Sequence, residues 1–152
     1  PGAHSAGVRT AAGVGLAPPS VEIHAASGPI VVVIEYRVPP ENAVEFAAVI
    51  NEIGRIRRRD GARGWSICQD IDAIDLWIER FESPTWLDYL RWRTRPTQSD
   101  QVVRERLTRL VSGEHGNVRR LVERPPGAHP LGAPSATEQE VTNGERGEHG
   151  RW

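Results

Sequence analysis

A chain of 152 residues with a formal net charge of -1 at pH 7 suits one domain of ordinary size. It offers no basic footprint for nucleic acid and no acidic tail. Cys68 is the only cysteine, so an intrachain disulfide is excluded and an oxidising compartment is not implied. The longest apolar run, Ile30 to Ile34, falls far short of the roughly 20 residues that cross a bilayer. No signal-peptide pattern opens the chain. Methionine is absent altogether, so a processed product or a piece of a longer protein is expected.

Residues 1–28 are dominated by Gly, Ala, Pro and Ser. Such a stretch buries too little apolar surface to offset about 1–2 kcal/mol of backbone entropy per residue, and a disordered linker is expected. The folded domain is expected over 29–124. Residues 125–152, again without apolar periodicity, are expected to form a disordered tail.

Within the domain the first strand is Ile30–Val38, β-branched on both faces until Glu35. Pro39-Pro40 ends it, and Pro40 suits the first turn of a helix. That helix runs from about Glu41 to Arg59, with Phe46, Val49, Ile50, Ile53 and Ile56 on one face. Asp60-Gly61 closes it. Trp65–Asp70 and Leu76–Phe81 read as two strands of a hairpin joined by IDAID. Ser83-Pro84 reads as a helix start, with Trp86, Tyr89 and Leu90 on one face and Trp92 off it and exposed. Pro96 breaks this helix. A second piece runs from about Thr97 to Val111, with Val102, Val103, Leu107 and Leu110 as its apolar side. After a polar turn at 112–117, Val118–Val122 is the last strand. The order β-α-β-β-α-β is the ferredoxin-like α+β arrangement.

Two helices cover one face of such a sheet, yet both faces of the first and third strands carry apolar residues. Val31 and Val33 lie opposite Val32, Ile34 and Tyr36, and Leu76 and Ile78 lie opposite Trp77 and Phe81. A second copy packed sheet on sheet, as a two-fold homodimer, would cover the other face. A monomer with its tails folded over the sheet is the alternative.

The arginines at 55 and 57–59 invite an anion or phospholipid site, but cations in the last turn of a helix are also favoured by its dipole. Arg57 differs from the others. At 100° per residue it falls between Phe46 and Ile50 on the apolar face, and a buried guanidinium requires a carboxylate. Glu35 and Glu79 are the strand carboxylates available. They read either as an acid/base pair or as partners of arginines such as Arg57 and Arg80. Trp65, Trp77 and Trp86 read either as core or as the lining of an aromatic-ligand pocket. The histidines at 4, 24, 129 and 149 lie in the tails, and His115 stands alone in a turn. Metal spacing, a nucleophilic triad and nucleotide-binding glycine patterns are all missing, so no cofactor is expected. RNP1-like aromatics are missing as well, so nucleic acid is not an expected partner.

The segments PIVVVIEYRVPPENAVEFAAVINEIGRIRRRDGARGWSICQD, WIERFESPTWLDYLRW and NVRRLV resemble the soluble C-terminal domain of bacterial major facilitator transporters of the transmembrane secretion effector type. The resemblance spans roughly Pro29 to Arg124. It implies a dimeric α+β barrel similar to antibiotic biosynthesis monooxygenase domains. It also implies attachment to the transmembrane part of the same transporter, on the cytoplasmic face of the bacterial inner membrane. Members of the family commonly carry histidine in the second helix where Tyr89 and Arg93 stand here, which argues against monooxygenase-like proton transfer. The expected function is a non-catalytic dimerising or ligand-sensing accessory domain of an exporter. The alternative is a stand-alone cofactor-independent monooxygenase or aromatic-ligand binder. Any small aromatic ligand would meet Glu35, Arg57, Trp65, Trp77, Glu79, Trp86, Tyr89 and Arg93.

Overall fold

The computed structural model describes residues 17–94, 96–113 and 117–134. Most of the two expected tails, and His115, lie outside them. One compact unit holds Ile23–Glu123, and a second brings Pro19–Glu22 together with residues from Arg124 onward. In the second unit the described residues make turns at 126–127 and 131–132, and Arg124 donates to the carbonyl of His129.

The first unit contains β1 (Ile30–Arg37), a 3-10 turn (Pro40–Asn42), α1 (Ala43–Arg59), β2 (Arg63–Gln69), β3 (Leu76–Ser83), α2 (Trp86–Arg93), α3 (Gln98–Leu110) and β4 (Val118–Val122). The strands form one antiparallel sheet in the order β2-β3-β1-β4, the ferredoxin-like α+β arrangement. Pairing Val32 with Phe81 and Ile34 with Glu79 fixes the faces, because side chains alternate along a strand. Ile30, Val32, Ile34, Tyr36, Glu79 and Phe81 point to the helices and are buried. Val31, Val33 and Glu35 share the opposite, open face with Ile78, Arg80, Arg119 and Leu121, and there Val31, Val33, Glu35 and Ile78 are half-buried.

The helix ends are set by backbone bonds at the end of α1 and by side-chain caps at the starts of α2 and α3. The N–H groups of Gly61 and Ala62 bond the carbonyls of Arg58 and Arg57 at 3.1 and 2.9 Å, a Schellman ending in which Gly61 takes a φ of 99°. The expected start of α2 at Ser83-Pro84 is corrected. Ser83 completes β3, and Thr85 is the cap, its hydroxyl accepting the Asp88 N–H at 3.1 Å. Thr97 and Asp100 form a capping box on α3. The Asp100 carboxylate also takes both Arg59 amino groups, at 3.1 and 2.8 Å, which ties the C-terminal end of α1 to the start of α3.

The ordered unit reaches further toward the N-terminus than residue 29. The carbonyls of Ala25 and Ser27 accept the N–H groups of Leu87 and Trp86 at 3.0 and 2.7 Å, satisfying two donors at the head of α2 that the helix itself cannot.

Gly54 lies on the buried side of α1, and a Cβ there would stand 2.6–2.8 Å from the Trp65 indole. Alanine would favour the helix by about 1 kcal/mol, whereas displacing a packed ring costs typically 1–3 kcal/mol. Gly54→Ala is therefore expected to lower the urea midpoint, with a net loss of up to about 2 kcal/mol. A higher midpoint would show that the ring moves freely.

Candidate functional site

The centre of the helix-covered side is the Glu79 carboxylate, on β3 with no exposed surface. A bare carboxylate there would cost several kcal/mol, but four donors surround this one. Oε1 accepts from Arg57 Nε at 2.8 Å and from Trp65 Nε1 at 3.0 Å. Oε2 accepts from Tyr36 Oη at 2.8 Å and from Arg57 Nη2 at 3.2 Å. An ionised carboxylate has about four lone-pair positions, so its capacity is filled. The donors come from β1, α1 and β2.

Burial pushes the Glu79 carboxyl up. The Arg57 charge, with the hydrogen bonds from Arg57, Tyr36 and Trp65, outweighs it and holds the group below its ordinary value. Burial, reinforced by the Glu79 charge, pushes the Tyr36 phenol well above its own. For Arg57, burial disfavours the cation, but the Glu79 charge and hydrogen bonds raise its pKa nonetheless. The guanidinium lies between two aromatic faces, 4.7 Å from the centroid of Phe81 and 4.8 Å from that of Trp92, in cation–π contact with both.

A second cluster adjoins the first through Trp92. Tyr89 stacks on Trp86 with centroids 5.1 Å apart and lies 6.0 Å from Trp92. Arg93 sits over the Tyr89 ring at 5.6 Å, and Arg120 over Trp86 at 5.6 Å. The expectation that Trp92 is exposed is corrected: it is buried edge-on to Phe81 at 5.6 Å, while Leu90 faces solvent. The indole N–H groups of Trp77 and Trp92 are buried and meet no acceptor among the described residues.

The eight residues singled out in the sequence thus divide. Arg57, Trp65 and Glu79 meet directly, and Trp86, Tyr89 and Arg93 form the adjoining stack. Trp77 packs on Phe46 at 5.3 Å, opposite Tyr36 in the sheet, with no hydrogen bond to Glu79 among those its carboxylate accepts. Glu35 lies on the open face, 3.6 Å from Arg119, because it is one residue out of phase with the inward positions of β1. The sequence marks Tyr36 only as sharing a strand face with Val32 and Ile34, and that alternation places it inward beside Glu79.

The sequence matches the transmembrane secretion effector family over residues 10–126. The chain belongs to that family. No curated protein matches the chain. Among solved structures, the cofactor-independent oxygenase SnoaB from Streptomyces nogalater is similar at 14% identity with a TM-score of 0.54, covering 66% of this chain and 97% of that one. A candidate antibiotic biosynthesis monooxygenase from Bordetella bronchiseptica is similar at 17% identity with a TM-score of 0.55, covering 64% of this chain and 99% of the other. A conserved protein from Methanosarcina mazei gives 14% and 0.55, with coverage of 65% and 96%. At these identities the likeness establishes the fold that this family member shares with monooxygenase-like domains.

Glu79→Ala is expected to cost about 3–5 kcal/mol, since it leaves a buried guanidinium unpaired, and Arg57→Met/Glu79→Leu is expected to cost less than that single change. Chemical denaturation checks the order, and a double variant less stable than Glu79→Ala would contradict it. The pH dependence follows from the sign of the shifts. Glu79 and Asp100 are both held below their ordinary values, Asp100 chiefly by its hydrogen bonds from Arg59. Their contributions are present above the unfolded carboxylate range near pH 4 and are lost as pH falls through the lower folded values. The thermal midpoint should hold from pH 7 to about 5 and fall below about 4.

Proposed function

We propose that this chain is a non-catalytic accessory domain of an exporter of the transmembrane secretion effector family. In this reading it pairs with a second copy beside the membrane part of the transporter, on the cytoplasmic face of the inner membrane. The observation that carries the non-catalytic part is the saturated Glu79 carboxylate. It takes four donors and its proton affinity is lowered, so it is a poor base, and Tyr36 with a raised pKa is a poor acid. Family membership supports the exporter. The open sheet face supports the pairing, because Val31, Val33, Ile78 and Leu121 lie on it outside the helical cover.

The buried Trp92 N–H, which meets no acceptor among the described residues, lies beside the Tyr89 stack, and a second role within the same reading is the sensing of an aromatic compound whose acceptor group would reach it once the stack opens.

Two measurements test the proposal. With hydroquinones under oxygen, no oxygen uptake is expected, while quenching of tryptophan fluorescence would support the sensing role. Uptake that depends on Tyr89 or Glu79 would replace the proposal with an oxygenase. In sedimentation the chain is expected to be a dimer at micromolar concentration. Val33→Asp, on the open face, should give a folded monomer. Val32→Asp, wholly buried against the helices, should unfold the domain, since an unpaired buried charge costs more than the roughly 5–15 kcal/mol of a typical fold can readily absorb. A wild-type monomer at high concentration would remove the pairing.

A further inference from the structure

Residues 70–75, between β2 and β3, read DIDAID, and folding does not account for where they put their isoleucines. Ile71 is 93% exposed and Ile74 63% exposed. The connection is nevertheless fixed. Asp70 Oδ1 accepts the N–H groups of Asp72 and Ala73 at 2.7 and 2.8 Å, which keeps its carboxyl below the ordinary value. The Leu76 N–H bonds the Ala73 carbonyl at 2.8 Å, and the Asp70 N–H bonds that of Leu76 at 2.9 Å. Gln69 Nε2 bonds the Ile74 carbonyl at 2.7 Å, and Arg37 holds Asp75 at 3.2 Å. A tip ordered in advance escapes much of the entropy cost that a loose loop meets on binding.

The chemistry of the tip selects its occupant. Two apolar side chains stand among carboxylates, so the complementary surface is apolar and edged with cations. An anionic bilayer surface repels that rim. This chain carries a surface of the complementary kind. On the open sheet face Val31, Val33, Ile78 and Leu121 alternate with Arg80 and Arg119, whose side chains are 44% and 61% exposed. Their present partners, Glu82 and Glu35, are half-buried carboxylates of the same face, but pairs whose arginine stands this far in solvent contribute little, so re-pairing costs little.

We infer that in the dimer the tip formed by residues 70–75 of each copy seats Ile71 and Ile74 on the open sheet face of the other, with Asp72 turned toward its Arg80 and Arg119. The inference rests on the pairing proposed above and adds the element that locks it.

Sedimentation of the whole chain over a range of concentration tests it, comparing wild type with Ile71→Ser/Ile74→Ser and with Asp72→Arg. Both variants alter exposed positions, so their circular dichroism should match wild type. The first should weaken the dimer roughly tenfold or more, from the lost burial of two isoleucines. The second should weaken it at low salt and less at high salt. Dissociation constants equal to wild type in both variants would overturn the tip's placement and leave the dimer standing. A monomeric wild type would overturn both.

Discussion

Burying a carboxylate at the middle of a central strand is unfavourable unless every lone pair finds a donor, and the helix-covered side of this domain is organised around meeting that condition for Glu79. Each donor depends on a separate piece of local structure. The Schellman ending at Gly61 fixes the last turn of α1 and with it Arg57. Gly54, without a Cβ, leaves room for the Trp65 indole to lie against α1 and reach the carboxylate. Alternation along β1 turns Tyr36 inward beside it. One ion pair therefore joins a helix to three neighbouring strands, and its partners cannot move independently.

In the proposed reading, the same saturation sets this domain apart from the chemistry named for one of its structural relatives. A shared frame does not carry an activity, because activity belongs to side chains placed on the frame. Here the interior carboxylate is already committed to Arg57, and the two helix positions Tyr89 and Arg93 offer a phenol and a guanidinium. The interior stabilises the fold, and the features left for recognition are the aromatic stack and the open face.

Much of this was legible in the sequence, and the failures have identifiable causes. Element order followed from apolar periodicity and from Pro and Gly positions. The inward direction of Arg57 followed from helical phase, and its need for a carboxylate from the cost of burying a cation. Choosing between Glu35 and Glu79 required the register, and a shift of one residue exchanges the faces of a strand. Trp92 was misassigned because α2 is only eight residues long, so a face defined by Trp86, Tyr89 and Leu90 can rotate. The gain from packing a tryptophan against Phe81 and Arg57 exceeds that from burying a leucine, and the helix turns accordingly. The start of α2 was displaced for a related reason: Ser83 pairs with Ile30, and the ladder takes it before the helix can.

The composition of the open face also limits how tightly a partner could hold it. A surface as apolar as the helix-covered side would be insoluble before meeting its partner. This one interleaves Val31, Val33 and Ile78 with Arg80–Glu82 and Arg119–Glu35 pairs. Covering pairs that already neutralise each other costs less than covering lone charges, but desolvation still offsets part of the apolar gain. The resulting association would be moderate and salt-sensitive. Moderate affinity is sufficient for a domain attached to a membrane protein, since tethering can supply effective concentrations in the millimolar range. A free domain of the same affinity would instead be divided between monomer and dimer, so the charge pattern suits a module joined to a larger assembly.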